Sequence, residues 1–546
     1  MTETRRPFES GRGSGAEGVQ VPPDGVRERA RPAGLRATGL SSSILFDGAV
    51  PSAGPTPEPT WFKDLNLDQF VSAATKGRED YDLARYLHVL APDVRTVRHR
   101  QAVLADLEEE GLSVAVRAFS EQMRRVRALL RSAEKVRHRY FEEGWLLDAA
   151  ELYCASIVAL ADDLGRPTIR SAGLRGVHDY LMAYCSSASF AGLREGSEDL
   201  RRRLSEVSYS ITVRGSRVTV ARYEDESDYS AEVLATFAKF RQGSAKDYRV
   251  RLSERDVNHV LGRVLDLVAR MHPAVFSDLD RFCARYVPFL DPVIERFENE
   301  VQFYLAYLDY IAPLRSAGLP FSFPEVSELP DHIAADDAFD LVLGAQKVAG
   351  GEGVIVNGFG LRRPERLLVV TGPNQGGKTT FARLFGQLHY LAGIGLSVPA
   401  RRAMLALPDR IFTHFERAED LATLRGKLED EVERVHDIMA QATSRSVVVM
   451  NETFASTTFE DALFLGQRII DLLTERGLLG VYVTFVDELA SRNQAIVSMV
   501  ASVDPAEPTR RTFEIVRRQA DGLAYAAAIA AKYGLTYEAV RERLLS

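Results

Sequence analysis

Eight consecutive residues, 372–379, carry the strongest chemical signal in the chain. They read Gly-Pro-Asn-Gln-Gly-Gly-Lys-Thr and match the phosphate-binding pattern G-x-x-x-x-G-K-[ST]. Glycines let such a loop bend until several backbone N–H groups face one phosphate chain, and the helix that follows adds partial positive charge. Lys378 is suited to bridging the β- and γ-phosphates, and the Thr379 hydroxyl to binding Mg²⁺. The expected nucleotide-binding residues are Gly372, Pro373, Asn374, Gln375, Gly376, Gly377, Lys378, Thr379 and Thr380.

The run SVVVMNETFASTTFED, residues 446–461, carries a second signal. Apolar residues that end in a polar–acidic pair are typical of a Walker-B strand. Glu452 is the candidate catalytic base, because a carboxylate beside the γ-phosphate can polarise the attacking water. Asn451 stands where an Asp usually supports Mg²⁺, and its amide can accept a hydrogen bond but brings no charge. We expect Thr379, Asn451 and Glu452 to lie around the metal; the alternative is a buried strand with incidental polar residues.

The elements that must position these residues belong to an α/β domain, assigned to 336–546. The runs RLLVVTG, RSVVVMNE and GLLGVYVTF read as short buried strands, and helical windows lie between them. A mostly parallel sheet covered by helices requires this alternation. The phosphate loop follows the first of these strands and opens a helix, which is the context that the motif needs.

The preceding part, 61–335, is predicted to be mostly α-helical, with one β-hairpin inserted near 207–222. The hairpin is indicated by the alternating run VSYSITVRGSRVTVAR, which turns near Gly215. A long charged helix is expected from about Ser113 to Tyr140, with five arginines at 117, 124, 125, 127 and 131. A solvated helix face is the favoured interpretation of these arginines, and contact with a DNA backbone is the alternative.

Composition separates residues 1–60 from the rest. They contain nine Gly and eight Pro, which predicts a flexible tail, although the apolar piece Ile44-Leu45-Phe46 has the option of docking. The net charge of −8 argues against a protein that coats nucleic acid with its whole surface, without excluding a local basic stripe. No signal peptide or membrane-spanning run is recognised, and three widely spaced cysteines suggest reduced thiols, so a cytoplasmic location without a membrane partner is expected.

The segment VVTGPNQGGKTTFARL resembles the phosphate loop of the MutS family of DNA mismatch-repair ATPases. The likeness continues in order through GIGLSVPA, LPDRIFTHFERAEDLA, the Walker-B region, YVTFVDEL and ADGLAYAAAIAAKYGL, over about 350–540. The helical half is more weakly similar to the family's core, lever and clamp. The resemblance implies an ABC-type P-loop ATPase domain that uses ATP and Mg²⁺, with Glu452 as base and Asn374 lining the phosphate site.

The same resemblance implies a composite ATP site in a dimer, with a second copy or a paralogue as partner. Asp420 and Arg425 would lie in the segment that approaches the partner's nucleotide. The loop after the Walker-B strand would form the dimer interface through Ser456, Thr457, Thr458 and Asp461.

Three departures from the family pattern concern this site. Asn451 replaces the Walker-B Asp, Gly426-Lys427 replaces a Ser-Thr pair, and Phe485 follows Thr484 where a His is usual. Lys427 is a candidate source of positive charge for the partner's γ-phosphate. We therefore expect ATP binding with hydrolysis that is slow or dependent on the dimer.

The leading functional interpretation is a MutS-like DNA-binding ATPase whose clamp closes on a DNA structure, without base readout. About 60 residues precede the core, too few for a mismatch-reading domain, and the Phe-x-Glu match at Phe141 is interpreted as chance; no nuclease domain of the Smr type is expected. The arginines of the hairpin, Arg214, Arg217 and Arg222, modestly favour a clamp over a structural flap. The alternative is an ATP-switched scaffold or adaptor with weak or no hydrolysis and no direct DNA binding. A generic ABC/SMC-type ATPase is disfavoured by the GPN loop and the lack of an LSGG-like segment.

Overall fold

The computed structural model describes residues 43–48, 56–166, 168–214, 217–224, 254–328, 330–416, 426–504, 510–520 and 541. A helical part is followed by an α/β part, as expected from the sequence. The helical part begins with a 3-10 turn, Thr60–Phe62, and contains α1 (Leu67–Ala74), α2 (Ala84–Leu87), α3 (Val94–Leu107), α4 (Glu110–Lys135), α5 (Arg139–Leu164), α6 (Ala172–Cys185), α7 (Ala188–Ser205), β1 (Tyr209–Arg214), β2 (Arg217–Arg222), α8 (Glu254–Met271), α9 (Pro273–Tyr286) and α10 (Pro292–Ser316).

The α/β part contains the remaining elements. These are β3 (Glu325–Ser327), β4 (His332–Ala338), α11 (Leu341–Ala349), β5 (Asn357–Arg362), β6 (Leu367–Thr371), α12 (Lys378–Gly393), β7 (Arg402–Ala406), β8 (Ile411–Phe415), α13 (Lys427–Gln441), β9 (Val447–Asn451), α14 (Phe459–Glu475), β10 (Leu479–Val483), a 3-10 turn (Asp487–Ser491), β11 (Ile496–Val503) and β12 (Arg511–Arg517).

The long charged helix is two helices rather than one. α4 begins at Glu110, where the Glu109 side chain caps the Leu112 N–H at 3.0 Å, and it ends at Lys135 instead of continuing to Tyr140. Its apolar stripe packs against α5, which contributes the fully buried Tyr153. The two longest helices among the described residues thus pack against each other along a shared core face.

The arginines of α4 are mostly occupied by carboxylates of the same chain. Arg117 pairs with Asp309 at 2.6 Å and Arg131 with Asp80 at 3.0 Å. Arg127 forms an ion pair with Glu298, a fully buried residue of α10. This arrangement favours a structural role for the stripe over contact with a DNA backbone.

By length and composition alone, α5 could cross a membrane, which the sequence analysis did not anticipate. Half of its apolar window is buried inside the molecule, where α5 packs against α4, α6 and α7. A core helix surrounded by other helices is apolar on most sides for the same reason as a membrane span.

The predicted hairpin is present. β1 and β2 pair antiparallel from Tyr209 opposite Arg222 to Arg214 opposite Arg217. Most of its described side chains are exposed, and the Arg222 guanidinium donates a hydrogen bond of 2.9 Å to the Met271 carbonyl at the end of α8. The hairpin therefore projects from the helical part and contributes little to its core.

Six strands form the main sheet, in the order β12-β11-β6-β10-β9-β8. β11, β6, β10, β9 and β8 run parallel, and only β12 is antiparallel to its neighbour. Every residue of β6, β9 and β10 is buried, as expected for parallel strands with both faces covered. β3, β7, β4 and β5 form a second, smaller sheet.

The predicted flexible tail, 1–60, is wrong for the segment Ser43–Phe46, which we call the N-terminal clasp. Ile44 and Leu45 are fully buried. The Ile44 N–H and the Ser43 hydroxyl both donate to the Glu300 carboxylate on α10, each at 2.9 Å. The sequence on either side of this segment is rich in Gly and Pro, but the four residues of the segment itself supply enough apolar surface and hydrogen bonding to dock.

Candidate nucleotide-binding site

The phosphate loop lies where β6 ends and α12 begins. Gly377 caps the helix with a φ of 92°, and Gly372 has a φ of 114°, both in the region that favours glycine. A Cβ atom at Gly376 would lie 2.9 Å from the Pro373 carbonyl oxygen and 3.0 Å from the Ala501 Cβ. The glycines at these positions are therefore required by backbone conformation and close packing, independently of any ligand.

Lys378 is buried at the start of α12, with 4% of its surface exposed. Its ammonium donates to the Gly372 carbonyl at 2.8 Å, and to the Pro373 carbonyl and Asn374 Oδ1, each at 3.3 Å. Burial lowers the pKa of Lys378, while Glu452 and Asp487 act in the opposite direction. The loop thus holds a cation among neutral oxygens, and an anionic ligand would stabilise it better than these oxygens do.

Two buried oxygens mark the edge of the sheet next to the loop. Thr371 Oγ1 at the end of β6 and Asn451 Oδ1 at the end of β9 have no hydrogen-bond partner in the described part of the chain. Both strands flank β10, whose Val483 lies opposite Asn451 on one side and Val370 on the other. Of the twelve unpartnered buried side-chain atoms in the described residues, these two lie beside the phosphate loop, where a hydrated ion or a ligand can complete their hydrogen bonding.

Glu452 follows β9 directly and adopts a φ of 52°. Its N–H donates to the Val483 carbonyl at 2.9 Å, so its backbone is attached to β10. Its side chain lines the same cavity as Lys378 and Thr379. The structure therefore brings the candidate base and the phosphate loop together, as the sequence analysis expected of their positions.

A cavity of about 550 Å³ lies between the phosphate loop, α11 and β12. One side is polar and includes Gln375, Gly377, Lys378, Thr379, Thr380 and Glu452. The lining also includes Ile355 and Phe513, each with 49% of its surface exposed, which we call the apolar end, and the charged residues Asp340 and Lys347. A cavity with a polar end and an apolar end suits a ligand that has phosphates on one side and a flat ring on the other.

Sequence reasoning missed the apolar end. Phe513 has a φ of 61°, and Asn357 of β5 fixes its backbone: the Asn357 amide donates to the Phe513 carbonyl at 3.2 Å and accepts from the Ile515 N–H at 2.7 Å. Phe513 lies 134 positions after the end of the phosphate loop, and no local motif surrounds it. Only an Asn at the start of a strand and an aromatic residue in an exposed strand could have hinted at this contact.

The other expected site residues are distributed around the cavity. Asn374 is exposed, and Pro373 and Gly376 are buried within the loop. The loop after β9 leads into α14, which Thr458 caps; the Thr457 and Thr458 hydroxyls donate to Asp461 at 3.2 and 2.9 Å. Lys427 pairs with Glu416 of its own chain at 2.5 Å. Asp420 and Arg425 lie outside the described residues.

Within the described ranges, His, Cys, Asp and Glu side chains form no group of three or more that could hold a metal ion. This fits Mg²⁺, which is usually bound through one or two protein ligands together with substrate phosphates rather than by a protein cage. Thr379 and Glu452 line the cavity, and the expected role of these two residues and of Asn451 beside a metal stays a prediction.

The site combines a strand, a glycine-rich loop and a helix with a buried lysine. A second parallel strand, separated from the first by β10, ends at Asn451 just before Glu452. These features define a P-loop nucleotide-binding domain. Residues 368–541 match the family model described as MutS domain V. The likeness to the MutS family is thus shown for this part of the chain.

Curated relatives agree with this assignment. The chain is 31% identical over 247 residues to "Endonuclease MutS2" of Thermus thermophilus, which covers 42% of this chain and 32% of that protein. It is 39% identical over 131 residues to "DNA mismatch repair protein MutS" of Psychrobacter cryohalolentis, with coverages of 24% and 13%. The protein of that name from Acetivibrio thermocellus is 31% identical over 189 residues, with coverages of 34% and 21%. The matched part thus spans a third or less of each relative's length.

Proposed function

We propose that this protein is a MutS-like DNA-binding ATPase that acts in DNA repair of the mismatch-repair kind. One observation carries the proposal: a buried lysine and a carboxylate line one cavity beside the glycine-rich loop, and two unpartnered buried oxygens lie next to that loop at the carboxyl edge of the parallel sheet. Kinship with proteins named for mismatch repair supplies the expected context. A cytoplasmic location is part of the proposal.

In this proposal the phosphate loop binds the triphosphate, and Lys378 exchanges its contacts with loop oxygens for contacts with phosphate. Mg²⁺, when bound, would neutralise charge on the phosphates beside Thr379 and Asn451. Glu452 orients a water and accepts its proton. The nucleotide base packs between Ile355 and Phe513, whose exposed apolar surface would then be covered.

Hydrolysis is proposed to be slow. Asn451 contributes an acceptor without a charge, and Phe485, 41% exposed after β10, offers no hydrogen bond to a phosphate oxygen. Transition-state charge therefore meets fewer fixed groups than in a site that carries Asp and His at these positions.

A dimer is proposed, formed with a second copy or a paralogue. Large apolar side chains are exposed on elements around the Walker-B strand: Val432 is 42%, Phe459 50% and Phe464 70% exposed. Exposed aromatic residues in a domain with an otherwise buried core are typical of protein interfaces. Ser456, Thr457, Thr458 and Asp461 lie in the same region and would line this interface.

DNA contact is proposed for the hairpin. It carries Arg214, Arg217 and Arg222 on strands whose described side chains are mostly exposed. Such contacts reach phosphates and depend on the shape of the DNA, so affinity should fall steeply with salt.

The second candidate is an ATP-switched scaffold that does not bind DNA. The arginines of α4 are paired within the chain, and the net charge is −8, so the basic surface available to DNA is smaller than the sequence suggests. DNA affinity that is absent at low salt would favour this candidate.

Steady-state ATP hydrolysis by the purified protein, with and without duplex and branched DNA, tests the proposal. Lys378→Ala and Glu452→Gln are the matched variants for binding and for chemistry. DNA-stimulated turnover that both variants lose would support the ATPase. Tight ATP binding with turnover no greater than that of Glu452→Gln would contradict it and leave the scaffold.

A further inference from the structure

The loop that carries Glu452 adopts an unfavourable backbone. Glu452 has a φ of 52° and Phe454 a φ of 65°, a region that residues with a Cβ rarely occupy. Such a conformation is strained and persists only where the surroundings hold it in place. Some groups must therefore fix residues 452–456.

Glu431 of α13 is one of these groups. Its Oε2 accepts the Phe454 N–H at 2.9 Å, and its Oε1 lies 3.5 Å from the Ser456 hydroxyl, which donates to it. One carboxylate therefore contacts both the second and the fourth residue after Glu452. Phe454 is the middle residue of the loop 452–456. The hydrogen bond of its N–H therefore limits the backbone rotation of the residues on either side.

A second hydrogen bond holds Thr453, the residue between Glu452 and Phe454. The Thr453 hydroxyl and His414 Nδ1 of β8 are 3.2 Å apart, and both residues are buried. With the bond from the Glu452 N–H to Val483, three successive residues are attached to three different elements. Glu431 is the only member of this set that brings a carboxylate.

A carboxylate at this position is not needed by the helix itself. Glu431 is 3% exposed, and burial raises its pKa, an effect that the Phe454 hydrogen bond opposes. An apolar side chain would fill the inner face of α13 without this desolvation penalty. What the carboxylate adds is the contacts with Phe454 and Ser456, together with a favourable charge interaction with Lys427 at the start of α13.

We propose that Glu431 is a positioning residue that holds the loop 452–456 so that Glu452 faces the phosphate loop. The inference rests on the proposed ATPase function and deepens it. Glu431 itself touches neither the cavity nor the phosphate loop. Its removal should therefore leave nucleotide affinity intact and lower the rate of the chemical step.

The test measures kcat, the Kd for ATP and amide hydrogen exchange of Phe454 in the full-length protein. Glu431→Ala should lower kcat about tenfold to a hundredfold and leave Kd within about twofold. Glu431→Gln keeps an oxygen acceptor and should retain kcat within about threefold. Glu429→Ala, an exposed carboxylate two residues earlier on α13, is the control and should behave as the parent protein.

Glu431→Asp guards against a misfolded alanine variant, because it keeps the charge but shortens the reach. It should speed exchange of the Phe454 amide and lower kcat. Faster exchange with unchanged kcat would overturn the proposal, as would equal losses in kcat and in ATP affinity. In a Glu452→Gln background Glu431→Ala should cause no further loss, since the group that it positions is absent.

Parent turnover no higher than that of Glu452→Gln contradicts the ATPase itself, whatever position 431 does. Parent turnover well above Glu452→Gln, with Glu431→Ala equal to Glu429→Ala, overturns only the role of Glu431.

Discussion

The N-terminal clasp and the phosphate loop are both short, irregular segments that include or contact a buried charged group. They differ in how far the chain itself satisfies the hydrogen bonding of their buried polar groups. In the clasp, Glu300 receives two hydrogen bonds from Ser43 and Ile44, and the Tyr304 hydroxyl donates to the Ile44 carbonyl at 2.7 Å. In the phosphate loop, Lys378 has only neutral oxygens as hydrogen-bond acceptors, and the nearby Thr371 and Asn451 oxygens lack described partners. A buried charge that its own chain saturates serves folding, whereas one left with weak partners is available to a ligand.

Arg100 extends the comparison to the junction of the two parts of the molecule. It is 3% exposed and donates from Nε to the Leu45 carbonyl at 3.0 Å and from Nη1 to the Ile394 carbonyl at 3.1 Å. Ile394 caps the end of α12, the helix that begins at Lys378. One guanidinium thus joins the clasp to the far end of the phosphate-loop helix.

Lys378→Ala should give the largest effect, because it removes the buried cation of the phosphate loop. We expect hydrolysis to fall at least about a hundredfold, because the cation is lost from the phosphate site. The free energy of unfolding should stay unchanged or rise, since the variant no longer buries an ammonium without a carboxylate hydrogen-bond partner. ATP turnover and urea unfolding measured on one preparation check both halves.

A marked fall in the free energy of unfolding of Lys378→Ala, together with its loss of turnover, would contradict this contrast between the two segments. It would mean that the loop needs its lysine in order to fold, as the clasp needs Glu300.

Ile44→Asp tests the clasp and should destabilise the protein by about 3 kcal/mol or more. It places a carboxylate at a fully buried position whose N–H is bonded to another carboxylate, Glu300. ATP affinity of the folded protein should remain within about threefold. The urea midpoint and an ATP-binding titration are the measurements.

Asp47→Ala is the matched control for the clasp. Asp47 follows the clasp and pairs with Arg95 at 2.7 Å, both largely exposed, so its loss should cost under about 1 kcal/mol. Ile44→Asp melting like this control would show that the segment is not seated in solution.

The two segments also differ in how far the sequence predicts them. The phosphate loop is carried by eight consecutive residues whose glycines, lysine and flanking strand can be read locally, and the structure places them in the expected order. The clasp is held by residues 55 to 260 positions away, and the surrounding Gly and Pro content obscures it. Phe513 and Glu431 escaped prediction for the same reason: each acts through a contact between elements, and neither stands in a motif. The helix boundary at Lys135 was missed because the amphipathic pattern continues beyond it.

Phe513→Ala should give an intermediate effect, and it tests the apolar end of the cavity separately from the phosphate loop. Loss of one ring from the apolar end should weaken ATP binding about threefold to tenfold, equivalent to about 0.6–1.4 kcal/mol. Binding of inorganic triphosphate, which has no base, should be unchanged. Val516→Ala, an exposed apolar residue of the same strand, is the control for surface effects. Equal weakening of ATP and triphosphate would contradict a role in base packing.

The smallest effect concerns the pH dependence of the clasp. Burial raises the pKa of Glu300 above its ordinary value of 4.5, with the Ile44 and Ser43 hydrogen bonds opposing it. The folded protein then binds this proton more tightly than the unfolded chain, so its free energy of unfolding falls as pH rises from 4.5 through the raised pKa.

Glu300→Gln lacks this slope while every other carboxyl is retained. The stability of the parent minus that of the variant should therefore decrease with rising pH across this window, by at most about 1.4 kcal/mol per pH unit. Urea midpoints of both proteins between pH 4.5 and 8 measure this difference. Parallel profiles would show that Glu300 titrates alike in the folded and unfolded chain, and the contrast between a saturated charge and an open one would then rest on hydrogen bonding rather than on desolvation.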